Sequence, residues 1–362
     1  MKVGILTFHD TLNYGASLQC YGLQKKLNMM GVQTEVVHYQ CPKFVKEYSP
    51  FYVSQKNIRK FLYMVVALKM NLAKQKKKKA FQQKYFPLSK SYTRQTIAQA
   101  NGEYDGFITG SDQVWNWKLT DFDTTYFLDF VEKGKKKFSY AASFGLSQID
   151  DDKKPIYQKL LTGYDEMSVR ESKGAEIVQS LIERNPDVVA DPVLLLTKEQ
   201  WEEIACVPDE KGYVLLYSIN DTATFEYAKK LAEVTGKELV YLSAPIKCRA
   251  KCKKVREIGP DEFLGWFKNA DYVVTDSFHG TICSVLFEKK FVALQDRRAG
   301  NHNSRIVNFL ERVGLTNRIV ATVSEQQVMQ NTVDYSAVKE KLKAYVEESN
   351  CYLKKVIGVL EK

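Results

Sequence analysis

"DYVVTDSFHGTICSVLFEKKFVAL", residues 271–294, decides how the rest of the chain is read. An apolar run the length of a buried strand stops at Thr275, Asp276, Ser277, Phe278 and His279, and apolar residues then resume with helical spacing before "FVAL" reads as a second strand. Strand, helix and strand in this compass make a right-handed βαβ crossover. In open parallel sheets ligands bind beyond the carboxyl ends of the strands, where helix N-termini offer unpaired N–H groups and a positive dipole end. The polar cluster falls at such a place. His279 is one of only four histidines. A helix N-terminus disfavours an imidazolium unless an anion is close, so His279 is expected as a neutral base, or as an acid once an anionic ligand binds. Gly280 leaves room beside it.

The same rhythm runs outward from this stretch. Upstream, strands are predicted at 213–219, 238–243 and 271–275, with helices at 222–236, 260–269 and 279–289, and the closing strand lies at 291–295. In the first half strands are predicted near 2–8, 32–39, 104–109, 137–143, 165–169 and 187–190. Alternation of this kind indicates an α/β protein with parallel sheets in two Rossmann-like halves. The halves are expected at 1–195 and 210–330. Residues 56–85 break the rhythm with a helix that is apolar first and lysine-rich later, read as an insertion on the first half. A last helix over 335–362 is expected to pack back on that half.

The chain has 362 residues, 44% hydrophobic and 27% charged, enough for two substantial cores. Seven scattered cysteines without short disulfide spacing favour a reducing, cytoplasmic setting. No run reaches the roughly 18 apolar residues of a membrane span, so neither export nor a transmembrane anchor is expected. The net charge of +10 gathers in Lys74 with Lys76–Lys79, in Lys133 with Lys135–Lys137, and in "KCRAKCKKVR" from Lys247. Such clusters suit anionic lipid, phosphorylated substrates or a plain solvated face. No aromatic interleaving accompanies them, and nucleic acid is not an expected partner. Cys248 and Cys252 alone lack two ligands of a zinc site, and no metal is expected.

Three further strand-to-helix junctions carry candidate residues. In "TFHDTLNYGASLQCYGL", His9, Tyr14 and Gly15 surround Asn13, which is placed to cap a helix. In "YDGFITGSDQVWNWKL", Asp112 stands between a glycine turn and Trp115–Asn116, as a general base or as a simple helix cap. In "MSVRESKGAEIV", Arg170 can clamp a phosphate or carboxylate, or pair internally with Glu171 or Asp191. Beyond the strand at 291–295, "QDRRAGNHNSRI" gathers Arg297, Arg298, His302, Asn303 and Arg305, a set suited to an anion.

Taken together, "NYGASLQCYGL", "GSDQVWN", "YAASFG", "SVRES..GA", "DPVLLL" and "TDSFHGTICSVLF" resemble the polysaccharide pyruvyl transferase family, from residue 1 to about 318. The resemblance implies two Rossmann-like domains facing across a cleft, GT-B-like. It also implies transfer of the enolpyruvyl carbons of phosphoenolpyruvate to a sugar, forming a ketal and releasing phosphate, with no cofactor and no metal. Arg170, Arg298 and Arg305, with Ser277 and Gly280, are then expected to bind the donor. His9, Asn13, Tyr14, Gly15, Trp115 and Asn116 are expected on the acceptor side. His279 matches the family's Arg-x-His motif and is expected as the acid, Asp112 as the base. Ser277 stands where several relatives carry arginine, so a phosphate contact must come from elsewhere. The family's acceptors are often sugars on a polyprenyl carrier, which implies a protein working in the cytoplasm or peripherally at the inner membrane face. Residues 56–79 would then dock on anionic lipid. The alternative reading is a GT-B glycosyltransferase using a nucleotide sugar; the oligomeric state is left open.

Overall fold

The structure, a computed structural model, describes residues 1–47, 58–219, 222–294, 304–320 and 332–362. The chain divides into two compact units, 1–55 with 82–195 and 344–362, and 56–81 with 196–343.

The first unit is built on β1 (Lys2–Leu6), β2 (Gln33–Tyr39), β3 (Leu88–Tyr92), β4 (Gly106–Thr109) and β5 (Lys136–Ser139), all parallel in the order β3-β2-β1-β4-β5. A short parallel pair, β6 (Ser168–Val169) and β7 (Asp187–Val188), lies nearby. Side chains alternate across the sheet, so Val3, Ile5 and Ile108 enter one core with Tyr352, Leu353 and Val356 of the last helix. Leu6, Val37 and Phe107 enter the opposite core with Trp115, Phe127 and Tyr157. The last helix, Tyr335–Leu360, is tied to this unit where Tyr352 Oη donates to Ser139 O at 2.6 Å and Ala190 N donates to Ser349 Oγ at 2.9 Å.

The second unit holds β8 (Val214–Tyr217), β9 (Leu239–Leu242), β10 (Lys253–Val255), β11 (Tyr272–Thr275), β12 (Lys290–Leu294) and β13 (Ile319–Val320). All pairs are parallel, in the order β10-β9-β8-β11-β12-β13. Counted from β8 this is 3-2-1-4-5-6, the Rossmann order. "VLLY", "LVYL" and "YVVT" are buried throughout, as strands covered by helices on both faces must be. In each unit the order reverses beside the first strand, so the switch points lie between β1 and β4 and between β8 and β11.

The strands missing from the sequence reading are the edges β3, β10 and β13. "LSKSY" and "KKV" carry little apolar signal because an edge strand is half solvated and its lysines discourage pairing with another chain. The strand expected over 137–143 ends at Ser139, and Ala141 turns with φ of 51°. A correction concerns the insertion. Its helix runs Ile58–Tyr85, yet residues 56–81 belong to the second unit. Lys77 Nζ lies 2.6 and 2.8 Å from the two Glu262 carboxylate oxygens, and Lys74 Nζ donates to Ser243 Oγ at 2.9 Å. Lys78 is buried, whereas Lys69, Lys76 and Lys79 are exposed. Chain position put this helix in the first half; its polar contacts put it in the second.

Candidate functional site

At the switch point of the second unit, Thr275 Oγ1 donates to Tyr217 O at 2.6 Å and accepts from Ser277 N at 3.0 Å, which bends the chain sharply off β11. Ser277 then caps the helix Phe278–Leu286, its side chain accepting from Gly280 N at 3.4 Å. His279, 6% exposed, occupies the first turn. Asp276 spans the crevice: Oδ2 accepts from Ser218 Oγ at 2.6 Å and Oδ1 from Ile219 N at 2.7 Å, and Thr224 Oγ1 adds a contact at 3.4 Å. The carboxylate ties the ends of β8 and β11 together. Sequence reasoning quoted Asp276 as part of the junction and gave it no role; its reach to Ser218, 58 residues away, is visible only in three dimensions.

Of the expected donor contacts, Ser277 caps the helix that carries His279, and Arg305 is brought to the ring of Phe278 beside it. Arg305 Cζ lies 5.5 Å from the centre of the Phe278 ring, and that ring meets the imidazole edge-on at 5.4 Å. Gly280 does different work from the one expected. A Cβ there would lie 2.3 Å from Thr275 Oγ1, so the glycine lets the helix pack on the strand rather than making room for a ligand. Arg298, with Arg297, His302 and Asn303, lies outside the described residues.

The first unit uses the same device. Thr7 Oγ1, just past β1, donates to Ser111 O at 2.6 Å, just past β4, and Gly110 admits Thr7 at 3.0 Å from where a Cβ would be. Asp112 follows with φ of 83°, a backbone that non-glycine residues rarely adopt and that sites often store. Its Oδ1 accepts from Gln113 N at 2.8 Å and lies 3.9 Å from Arg170 Nη2.

Arg170 is a second correction. Its side chain is 1% exposed and fans out to three carboxylates: Asp191 Oδ2 at 2.9 Å, Glu171 Oε2 at 3.8 Å and Asp112. Ser111 Oγ shares Asp191 at 3.1 Å, and Ser143 Oγ donates to Glu171 at 2.7 Å. The guanidinium pKa is raised: burial opposes its charge, and Asp191, Asp112 and Glu171 together outweigh burial. An arginine already facing three carboxylates is an internal ion pair and not a clamp for an incoming anion. Asp191 Oδ1 also accepts from Val193 N at 3.0 Å, which fixes the turn Pro192–Leu195 against the first helix at Gly22. "DPVLLL" is therefore a structural signature.

Trp115 and Asn116 are corrected in the same way. Trp115 is 0% exposed, stacked on Phe127 at 5.8 Å and packed on Phe144 and Tyr164, so no ring face is open to a sugar. Asn116 is buried and caps the helix Trp117–Thr120 by accepting from Lys118 N at 3.1 Å. Asn13 is exposed and caps Tyr14–Met29 by accepting from Gly15 N at 2.9 Å. His9 and Tyr14 are buried; His9 Nδ1 lies 3.2 Å from Thr7 O, and its ring meets His38 edge-on.

A family model described as polysaccharide pyruvyl transferase matches residues 13–295. Among solved structures, UGT89C1 of Arabidopsis thaliana, complexed with UDP, is similar at 10% identity and a TM-score of 0.53, covering 100% of this chain and 99% of that one. A putative UDP-N-acetylglucosamine 2-epimerase from Listeria monocytogenes is similar at 11% identity and a TM-score of 0.50, covering 99% of this chain and 96% of that one. These likenesses are of fold: two Rossmann-like domains of the GT-B kind. No curated protein sequence matches significantly.

Proposed function

The chain belongs to the polysaccharide pyruvyl transferase family, and from that premise we propose that it moves the enolpyruvyl carbons of phosphoenolpyruvate onto two hydroxyls of a sugar in a lipid-linked polysaccharide precursor. The observation that carries this reading is His279, buried in the first turn of a helix at a switch point, with Arg305 drawn to the neighbouring Phe278 ring. The chemistry needs one proton delivered to carbon and two removed from hydroxyls. Protonation of C3 turns the methylene into a methyl group as the first sugar oxygen bonds to C2. The second sugar oxygen bonds to C2 as the bond from C2 to the phosphate oxygen breaks, and phosphate leaves with the electron pair. Of the two hydroxyl protons, one balances the proton given to C3 and the other leaves with base.

In this proposal His279 is the acid and Asp112 the base, each at the switch point of its own unit. Ser277 and Arg305 hold the donor; Arg298, expected as a third donor contact, lies outside the described residues. Asn13 and Gly15 stand as acceptor contacts, while Trp115, Asn116 and Arg170 serve the fold. No described helix is long and apolar enough to cross a membrane. The exposed Lys69, Lys76 and Lys79 suit a peripheral approach to anionic headgroups, where a polyprenyl-linked acceptor would reside.

The test is phosphate release from phosphoenolpyruvate with a panel of lipid-linked sugars, run on wild type and His279→Ala. Acceptor-dependent release that disappears in the variant is expected. Transfer of sugar from a nucleotide sugar, or undiminished release by His279→Ala, would overturn the reading.

A further inference from the structure

With Trp115 and Asn116 built into the fold, a sugar acceptor has to be gripped by another surface of the first unit. One starts beside Asp112. Ala142 bridges to Asp112 at the end of the sheet, and Ser143 N donates to Asp112 O at 3.0 Å. The chain then turns at Gly145, with φ of 58°, where any Cβ would collide with the Gln113 side chain, and runs on through residues 146–153. This segment lies against the helix Ser172–Ile182, which follows β6 and so leaves the sheet at the same carboxyl edge. Between the two is a cavity of about 600 Å³. Small-molecule sites span roughly 300–1,000 Å³.

The lining of this cavity is amphiphilic. Ile149, Ile177 and Leu181 are buried and form its floor. Charged side chains form the rim, and they are matched in pairs: Lys154 Nζ lies 2.6 Å from Asp151 Oδ1, and Lys173 Nζ 2.6 Å from Glu176 Oε2. The third acid of the rim, Asp150, lies 3.8 Å from Lys153. Ser147, Gln148 and Ser180 add hydroxyl and amide groups.

Three acids against two matched lysines leave no positive charge to spare, so the cavity does not suit a phosphate or a carboxylate. What it offers is donors and acceptors side by side above an apolar floor. A neutral pyranose has the complementary surface. Its hydroxyls both donate and accept, and its C–H face can rest on isoleucine and leucine side chains as water leaves them. The rim ion pairs are solvent-exposed and individually weak, so a sugar hydroxyl can share one at little cost.

We propose that this cavity is a neutral-sugar subsite of the first unit, holding the sugar of the acceptor glycan next to the one that receives the pyruvate. The proposal rests on the pyruvyl-transfer reading for the identity of the glycan and on the cavity's own lining for the class of ligand.

Methyl NMR on the full chain, labelled at isoleucine and leucine, tests it. The probes are the methyl glycosides of glucose, galactose, mannose and N-acetylglucosamine, with inorganic phosphate as the anion. At least one glycoside should give saturable shifts at Ile149, Ile177 and Leu181, and phosphate none. Ser180→Trp, at an exposed position of the rim, should fill the cavity and abolish those shifts, and Glu176→Gln should weaken binding roughly two- to tenfold. Gln179→Trp, exposed on the same helix but outside the lining, should bind as wild type does, which separates a filled cavity from a damaged helix. No shift with any glycoside, or shifts that persist in Ser180→Trp, overturns the proposal, as does saturable binding of phosphate in place of sugar. In the phosphate-release assay Ser180→Trp should raise the KM for a lipid-linked disaccharide and leave the KM for phosphoenolpyruvate and for the lipid-linked monosaccharide unchanged. An unchanged KM for the disaccharide overturns the assignment to the acceptor. Glycoside binding that Ser180→Trp abolishes, in a protein that transfers no pyruvyl group, would sink the functional reading and leave the sugar site standing.

Discussion

Gly280→Ala sets two opposing effects against each other. In the third position of the helix Phe278–Leu286, alanine is favoured over glycine by about 1 kcal/mol of helix propensity. Against that, its Cβ would lie 2.3 Å from Thr275 Oγ1, 3.2 Å from Thr275 Cβ and 3.0 Å from Tyr217 Cδ1. The Thr275 hydroxyl cannot turn away without cost, because it donates to Tyr217 O at 2.6 Å and accepts from Ser277 N at 3.0 Å. Rotation loses two hydrogen bonds at about 1 kcal/mol each, and more where the abandoned groups stay buried. Moving the helix instead carries an overpacking cost of about 1–3 kcal/mol. Less the propensity gain, the first route leaves about 1 kcal/mol or more and the second about 0–2 kcal/mol, so the expected net destabilisation is about 1–2 kcal/mol. Activity should fall further than stability, since His279 rides on the same turn and a displacement of about 1 Å can cost roughly a hundredfold in rate. Urea unfolding followed by tryptophan fluorescence, with phosphate release on the same samples, reads both. Thr275→Ala removes the closest contact, so in a double-mutant cycle the pair should lose less than the sum of the single variants. A Gly280→Ala protein that is more stable than wild type and equally active would show that propensity wins and that the helix does not press on Thr275.

Arg170→Met should destabilise the protein by about 3–5 kcal/mol, because it leaves Asp191, Asp112 and Glu171 buried without their shared cation; a urea midpoint unchanged from wild type, with only the KM for donor raised, would restore Arg170 to the ligand. Trp115→Ala should cost about 3–5 kcal/mol by opening a cavity against Phe127 and Phe144, again read by urea. Near-normal stability with a weakened acceptor KM would instead mean that the indole ring meets the sugar.

The four inner strands of the second unit, β8, β9, β11 and β12, were legible almost residue for residue, because a strand covered on both faces must be apolar throughout and its helices must show a 3.6-residue period. The Thr275–His279 junction was legible too: a polar cluster interrupting two apolar runs can only stand at a strand end. What failed to show was of two kinds. Edge strands such as "KKV" lack an apolar signature because they are half solvated. Residues read as ligand contacts, Arg170 and Trp115 above all, carry the chemistry of a binding site in their side chains, and nothing local distinguishes an arginine facing solvent from one facing Asp191, 21 residues away.

From the sequence alone came the α/β class, the two Rossmann-like halves, the family resemblance and the place of His279, all of them consequences of local periodicity and of motifs short enough to read along the chain. The tertiary structure decided which polar residues face one another. It turned the insertion helix to the second unit, closed Asp276 onto Ser218 and folded Arg170 among three carboxylates. Hydrogen bonds and ion pairs act over a few ångströms of space regardless of separation along the chain, and only folding brings such partners within that range.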